Sequence, residues 1–199
     1  MQALTREDLL PLDEFASRRR ELFAAQQRYL DRYRRVRVGP ALTLVFENRQ
    51  TLWFRVQEVL RVARLSEPAR VSQELALYNR LLPGKDRLQA ALLIAVRDGP
   101  TLREDLTPWQ DLRGDQLALH VGPLRYPANL LTCRPEDRCI GAAHWVQFVL
   151  DGPGRELLAD PRHSAHVGAA LPSYRHDSGP LGDEVRFSLL DDLALSDRE

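Results

Sequence analysis

The stretch ALTLVFENRQTLWFRVQEVL, residues 41–60, changes its hydrophobic period halfway along. Residues 41–46 form a compact run of aliphatic, β-branched and aromatic side chains, which is typical of a strand. From residue 49 onward the apolar side chains recur at helical spacing, and Asn48 occupies the position of a helix N-cap. The stretch therefore predicts a strand that runs directly into a helix over residues 49–65.

The sequence on either side of this stretch predicts two further helices. Residues 66–68, Ser-Glu-Pro, combine a capping serine with a proline suited to the first turn, and they predict a helix that ends at Pro83-Gly84. The short link to the preceding helix favours an antiparallel pair. Upstream, residues 12–35 predict a long helix whose arginines, Arg32, Arg34 and Arg35 among them, lie on solvated faces.

The second half of the chain is richer in strand patterns. Residues 88–96 are too apolar to alternate, which predicts a covered central strand. Residues 116–121 and 142–150 alternate, and the latter run puts His144 on the same face as Val146 and Phe148. Residues 183–195 predict a closing helix. We therefore predict a single α+β domain over residues 1–199, with an antiparallel or mixed sheet and with the N-terminal helices and the C-terminal helix packed mainly on one side.

Composition excludes several classes of function. The 28 basic and 28 acidic side chains leave a formal net charge of zero, so no overall field favours nucleic acid or an anionic membrane. The apolar runs are far shorter than the ~20 residues of a membrane span, and the first residues lack a signal-peptide pattern. We expect a cytoplasmic protein with neither nucleic acid nor membrane as partner.

Sequence signatures of common enzymes are missing. The chain has no glycine-rich phosphate loop and no G-x-S-x-G nucleophile elbow. Cys133 and Cys139 are separated by five residues, a spacing that differs from the paired cysteines of common zinc sites. A loop with free thiols is the simplest interpretation, while a redox or metal role stays open.

Histidine and glutamate side chains suggest a metal site. If the helix pair packs antiparallel near the sheet, Glu58 and Glu74 can meet His144 and form a carboxylate–histidine site for iron, manganese or zinc. Simpler interpretations exist, because Arg55 and Arg61 can pair with Glu58 on a helix surface. His144 can equally be a hydrogen-bonded core histidine, and the H-x-x-H pair His163 and His166 falls in a predicted loop.

The order of several segments resembles a known bacterial family. LTREDLLPL, VGPALTLVFENRQT, QEVLR, ELALYNRLLPG, LQAALLIAV and AAHWVQF together resemble the family called domain of unknown function 3501. Family members are often encoded beside a rubrerythrin-like protein and an iron–sulfur oxidoreductase, which implies a redox or oxidative-stress setting. Ala95 departs from the family, whose members tend to have an acidic residue there. The positions that match the family are Glu47, Asn48, Arg49, Gln57, Glu58, Arg61, Glu74, Tyr78, Asn79 and His144.

Three functions follow as hypotheses. The first is an accessory protein of a redox pathway that binds a partner, by resemblance the rubrerythrin-like or iron–sulfur oxidoreductase protein, with or without a metal ion. The second is a metal-dependent enzyme, with Glu58 or Glu74 as ligand or base and His144 as ligand. The third is a structural interaction domain without chemistry.

Overall fold

A computed structural model describes residues 1–96, 99, 101–110, 112–131 and 141–196, with six α-helices and nine strands in those ranges. Single 3-10 turns occur at Arg6–Asp8 and Thr107–Trp109. The α-helices are α1 (Leu12–Tyr33), α2 (Arg49–Ala63), α3 (Pro68–Asn79), α4 (Leu102–Leu106), α5 (Gly152–Ala159) and α6 (Asp183–Ser196). The strands are β1 (Arg35–Val38), β2 (Leu42–Phe46), β3 (Arg87–Ile94), β4 (Leu117–Val121), β5 (Leu124–Pro127), β6 (Asn129–Leu130), β7 (Ala143–Val149), β8 (Ala165–Leu171) and β9 (Tyr174–Asp177).

The strands form two sheets. The first sheet has the order β1-β2-β3-β7-β6 and the second has the order β5-β4-β8-β9, and neighbouring strands are antiparallel throughout. In the first sheet Val45 lies opposite Ala91, and Ala91 lies opposite Trp145. Successive side chains of a strand point to opposite faces of the sheet. The neighbours of these three residues, Leu44, Leu92 and His144, therefore lie side by side on the other face.

The main hydrophobic core joins the inner faces of the two sheets. Leu44, Leu92 and Phe148 of the first sheet belong to the same buried cluster as Leu119 and Val167 of the second sheet. Leu189 and Leu193 extend this cluster into α6. The core therefore includes side chains from both halves of the sequence.

Helices cover part of the outer face of the first sheet. Leu30 of α1 packs on Val45 and Ala91, with Trp145 partly buried beside them. A separate cluster, formed by α2, α3 and the N-terminal segment, contains Leu4, Leu52, Val56, Leu60, Leu75 and Leu82. Helices thus cover the outer face of the first sheet in part, and the predicted site residues of α2 and α3 belong to that side.

α6 also satisfies buried polar groups of distant segments. Arg186 is buried and donates hydrogen bonds to the backbone oxygens of Leu157, Leu158, Asp160 and His163 at 2.6–3.0 Å. These carbonyl oxygens lie at the end of α5 and just after it, where no further helical turn supplies N–H donors. The arginine therefore caps the C-terminal end of α5 with donors from another helix.

The fold class is confirmed as α+β with an N-terminal and a C-terminal helix, and its sheets are antiparallel. The helix after Asn48 is also confirmed, since the Asn48 side chain accepts a hydrogen bond from the Thr51 N–H. One placement was wrong: Arg34 is 2% exposed rather than solvated, because it pairs with Asp192 of α6. In the described residues no helix is long and apolar enough to cross a membrane.

Candidate functional site

Glu47 is a buried carboxylate at the corner between β2 and α2. Its side chain is 0% exposed. It accepts hydrogen bonds from the Thr51 hydroxyl and, at 2.6 Å, from Nη2 of Arg55. The donors lie four and eight residues after the glutamate, so the first two turns of α2 place them above it. A buried carboxylate is costly unless it is paired, and this helix supplies both partners.

A polar network continues from this corner to α1 and α6. The Asn48 side-chain amide donates to the Tyr29 hydroxyl at 2.8 Å, and Nε of Arg34 donates to the same oxygen at 3.1 Å. Arg34 also forms a buried ion pair with Asp192. Burial raises the pKa of the Asp192 carboxyl, although the charge of Arg34 and hydrogen bonds from Arg34 and Asn48 oppose that rise. The network therefore ties the α2 N-terminus to the first and last helices.

Arg55 extends from the buried corner toward the outer face of the first sheet. Its guanidinium carbon lies 4.9 Å from the centre of the Trp145 ring, within the range of a cation–π interaction. Trp145 and Val45 flank Ala91 across the sheet, so they are two strands, about 10 Å, apart. Arg55 lines a cavity near Val45, and Trp145 lines a second cavity.

The first cavity, here the α1–α2 cavity, has a volume of about 210 Å³. Its apolar lining consists of Leu30, Val45 and Phe54. Its polar lining consists of Gln26, Gln27, Thr51, Arg55 and Glu58.

The second cavity, here the α3 cavity, has a volume of about 330 Å³. Burial raises the pKa of the Tyr78 hydroxyl; Arg55 opposes that rise, while Glu74 and Glu47 add to it. Tyr78 makes no side-chain hydrogen bond with the described residues, and neither Glu74 nor Arg80 makes a side-chain hydrogen bond or ion pair with them. The lining consists of Glu74, Leu77, Tyr78, Arg80, Leu81 and Trp145.

Glu58 is engaged by two arginines. Arg19 of α1 donates to it at 2.7 Å and Arg61 donates at 2.9 Å. Burial acts to raise the pKa of this carboxyl, but the two arginines outweigh it and hold the pKa below the usual value. The pair with Arg61 matches the simpler interpretation, whereas Arg55 turns to Glu47 instead.

The structure does not bring Glu58, Glu74 and His144 together. His144 is buried on the inner face of the first sheet, and its Nε2 lies 2.7 Å from the Gly141 carbonyl oxygen. Trp145, beside the α3 cavity, points to the opposite face. In the ranges that the structure describes, no group of three or more His, Cys, Asp or Glu side chains is arranged to hold a metal ion.

The remaining histidine candidates are also apart from these residues. His166 of the predicted H-x-x-H pair stacks on His120 across β4 and β8, with ring centres 4.7 Å apart, while His163 lies 3.8 Å from Asp160. Cys133 and Cys139 lie outside the described residues.

Several family positions anchor the N-terminal segment. The Asn79 side chain accepts a hydrogen bond from the Leu4 N–H at 2.8 Å and donates to the Leu4 carbonyl at 2.9 Å. Arg49 pairs with Asp8 at 2.6 Å. Gln57 is fully buried and donates to the Leu10 carbonyl at 3.4 Å. These three residues hold the start of the chain against α2 and α3.

Sequence reasoning missed Gln26, Thr51 and Trp145 and assigned Arg55 to Glu58. Thr51 and Arg55 follow Glu47 at intervals of four residues, a spacing that puts both on the same side of the helix that begins after Glu47. Trp145 alternates with the inward-facing residues of β7, so its outward orientation was available from the pattern. Gln26 has no comparable signal, because its position follows from packing between α1 and α2.

Comparison with known proteins gives a family and a structural relative. The family model described as protein of unknown function (DUF3501) matches residues 3–193. A crystal structure described as a novel protein of unknown function from Burkholderia pseudomallei K96243 is similar, with a TM-score of 0.86 and 26% sequence identity. The similarity covers 96% of this chain and 100% of that chain. A comparison with curated proteins finds no match.

Proposed function

Since the chain belongs to the family of proteins of unknown function DUF3501, we propose that it is an accessory protein that binds a protein partner at the α3 cavity. The observation that carries the proposal is the composition of this cavity. Its lining combines Trp145, Tyr78 and Arg80 with two leucines. Tryptophan, tyrosine and arginine are the residues that contribute most to binding energy at protein interfaces.

The surroundings of the cavity support a macromolecular partner. Leu77 of α3, on the rim of the cavity, is 53% exposed. Leu93 and Val149 are exposed apolar side chains of the first sheet, to which Trp145 also belongs. Both alternate with inward-facing residues, so they share the outer face with Trp145. An apolar cavity with an exposed leucine on its rim is a feature of interaction surfaces.

The charged groups of the rim define the chemistry of the partner segment. Glu74 and Arg80 lack ion-pair partners among the described residues. A segment that inserts one aliphatic or aromatic side chain, flanked by one basic and one acidic residue, satisfies both groups and covers the leucines. Such an arrangement gives a central anchor with a polar rim, as in other specific interfaces.

The redox setting rests on the family resemblance. The candidate partners are the rubrerythrin-like protein and the iron–sulfur oxidoreductase encoded beside family members. In this proposal the redox centre belongs to the partner, and the protein positions or protects it.

The test is direct binding between purified, untagged proteins. Each candidate partner is titrated by isothermal titration calorimetry, under oxidising and under reducing conditions. Leu77→Asp puts a charge into the apolar contact and should weaken binding at least about tenfold. Val62→Asp is the matched control, because Val62 is a helical, 69% exposed aliphatic residue away from the cavity, and it should bind as the wild type does.

Two results would overturn the proposal. Absence of binding to both candidates under both conditions removes the proposed partners. Equal affinity of the Leu77→Asp and Val62→Asp variants removes the α3 cavity as the binding surface.

A further inference from the structure

We propose that the α1–α2 cavity is a binding site for a small monocarboxylate. The first observation is Gln26, whose side chain is 6% exposed and lines the cavity. Its amide makes no hydrogen bond with the described residues. Buried amides in proteins are almost always hydrogen-bonded, so the Gln26 amide, which has no protein partner at the cavity wall, is a group that a ligand can satisfy.

The size of the cavity limits the ligand. Its volume of about 210 Å³ exceeds that of an engineered apolar cavity of about 150 Å³ that binds benzene. Leu30, Val45 and Phe54 supply an apolar wall for a body of that size. The space therefore suits a benzene-sized or short aliphatic body with one polar group.

The polar side chains that line the cavity determine the hydrogen-bonding character of that group. The Thr51 hydroxyl already donates to Glu47, and Glu58 already accepts from two arginines. The Gln27 amide oxygen accepts from Arg35 at 2.9 Å, which leaves its NH2 group as a donor. The groups left for a ligand are thus the Gln26 and Gln27 amide donors, the Gln26 carbonyl, and Nε of Arg55, which makes no hydrogen bond with the described residues. This set favours an acceptor-rich ligand.

The balance of charge around the cavity also favours an anion. Arg55 pairs with Glu47, and Arg19 and Arg61 both pair with Glu58, so these two groups together hold three cations and two carboxylates. The set carries one excess positive charge. A single carboxylate neutralises it, and a cation or a dianion does not.

The test uses benzoate as the probe and benzamide as its neutral analogue. Calorimetric titration of the wild-type protein should show one benzoate site with a Kd of about 1 mM or below. Benzamide should bind at least about tenfold more weakly, because it lacks the charge. Gln26→Leu should weaken benzoate binding at least about tenfold while leaving the thermal unfolding midpoint unchanged, since no hydrogen bond is lost.

Two further variants complete the design. Gln26→Glu keeps the shape of the side chain but places a negative charge in the cavity, so it should abolish benzoate binding. Gln73→Leu makes the same Gln-to-Leu change on the exposed surface of α3 and should leave the affinity unchanged.

Failure to detect saturable benzoate binding would overturn the proposal. Equal binding by the wild type and the Gln26→Leu variant, or equal binding of benzoate and benzamide, would overturn it as well. The titration contains no partner protein, so its outcome is independent of the test of the α3 cavity.

Discussion

Replacing Asp192 by asparagine should strongly destabilise the protein. Asp192 and Arg34 each have 3% of their side chain exposed, and they form an ion pair across 158 residues of sequence. The substitution preserves shape but removes the charge, which leaves the Arg34 guanidinium buried without a counterion. Leaving one partner of a buried ion pair uncompensated costs about 3–5 kcal/mol.

That cost is a large part of the stability of a domain of this size. Folded domains are stable by about 5–15 kcal/mol, so the variant should lose about a fifth of that stability or more. For domains of 150–250 residues, each kcal/mol corresponds to about 2–4 °C in the melting temperature. We therefore expect the midpoint of thermal unfolding to fall by about 6–20 °C.

Urea unfolding followed by circular dichroism measures the change in free energy of unfolding. Asp191→Asn is the matched control, because Asp191 is the exposed neighbour in the same helix, and it should change stability by less than about 0.5 kcal/mol. The double variant Arg34→Met/Asp192→Leu should recover most of the loss, since apolar pairs replace buried ion pairs well. A loss below about 1 kcal/mol for Asp192→Asn would refute the reasoning.

Three further variants test other contacts. Asn48→Ala removes the α2 N-cap and the hydrogen bond to Tyr29, so urea unfolding should show a loss of about 2 kcal/mol; an unchanged midpoint would contradict the network. Tyr126 donates to Asp151 at 2.5 Å, and burial together with this bond raises the pKa of Tyr126 to about 12. The folded state therefore holds this proton more tightly than the unfolded state, whose tyrosine has a pKa of about 10. The stabilisation is complete below pH 10 and disappears as the pH rises toward 12, so wild type should lose more stability over this range than Tyr126→Phe, and parallel pH profiles would contradict the assignment. Gly154→Ala adds a Cβ that overlaps the Tyr126 hydroxyl, so it should cost about 1–3 kcal/mol in urea unfolding despite the better helix propensity of alanine; a gain in stability would show that the close approach is absent.

Local features were predictable from the sequence. The change of period at residue 46 and the capping position of Asn48 predicted β2 and α2, and the alternation around His144 predicted which face it occupies. These features depend on neighbouring residues, whose side chains repeat every two or 3.6 positions. The family resemblance was also correct, and it identified Glu47 and Asn48 as a signature before their contacts were known.

Features that depend on distant residues were not predictable. Arg34 has the same local surroundings as the solvated arginines near it, and only Asp192 distinguishes it. The pattern of a strand defines its faces but not its neighbours, so the division into two sheets could not be inferred. For the same reason the metal hypothesis joined His144 to Glu58 and Glu74 although a sheet lies between them.

The two buried arginines that depend on α6 have a consequence for synthesis of the protein. A ribosome adds about 5–20 residues per second, so roughly 8–30 s separate the synthesis of Arg34 from that of Asp192, which lies 158 residues later. During this time a nascent chain keeps Arg34 hydrated. The carbonyl groups that Arg186 will bind are made only 23–29 residues before it, so they face water during the last part of this interval. A translation product that stops before α6 retains these exposed groups, and chaperones and proteases can therefore distinguish it from a completed molecule.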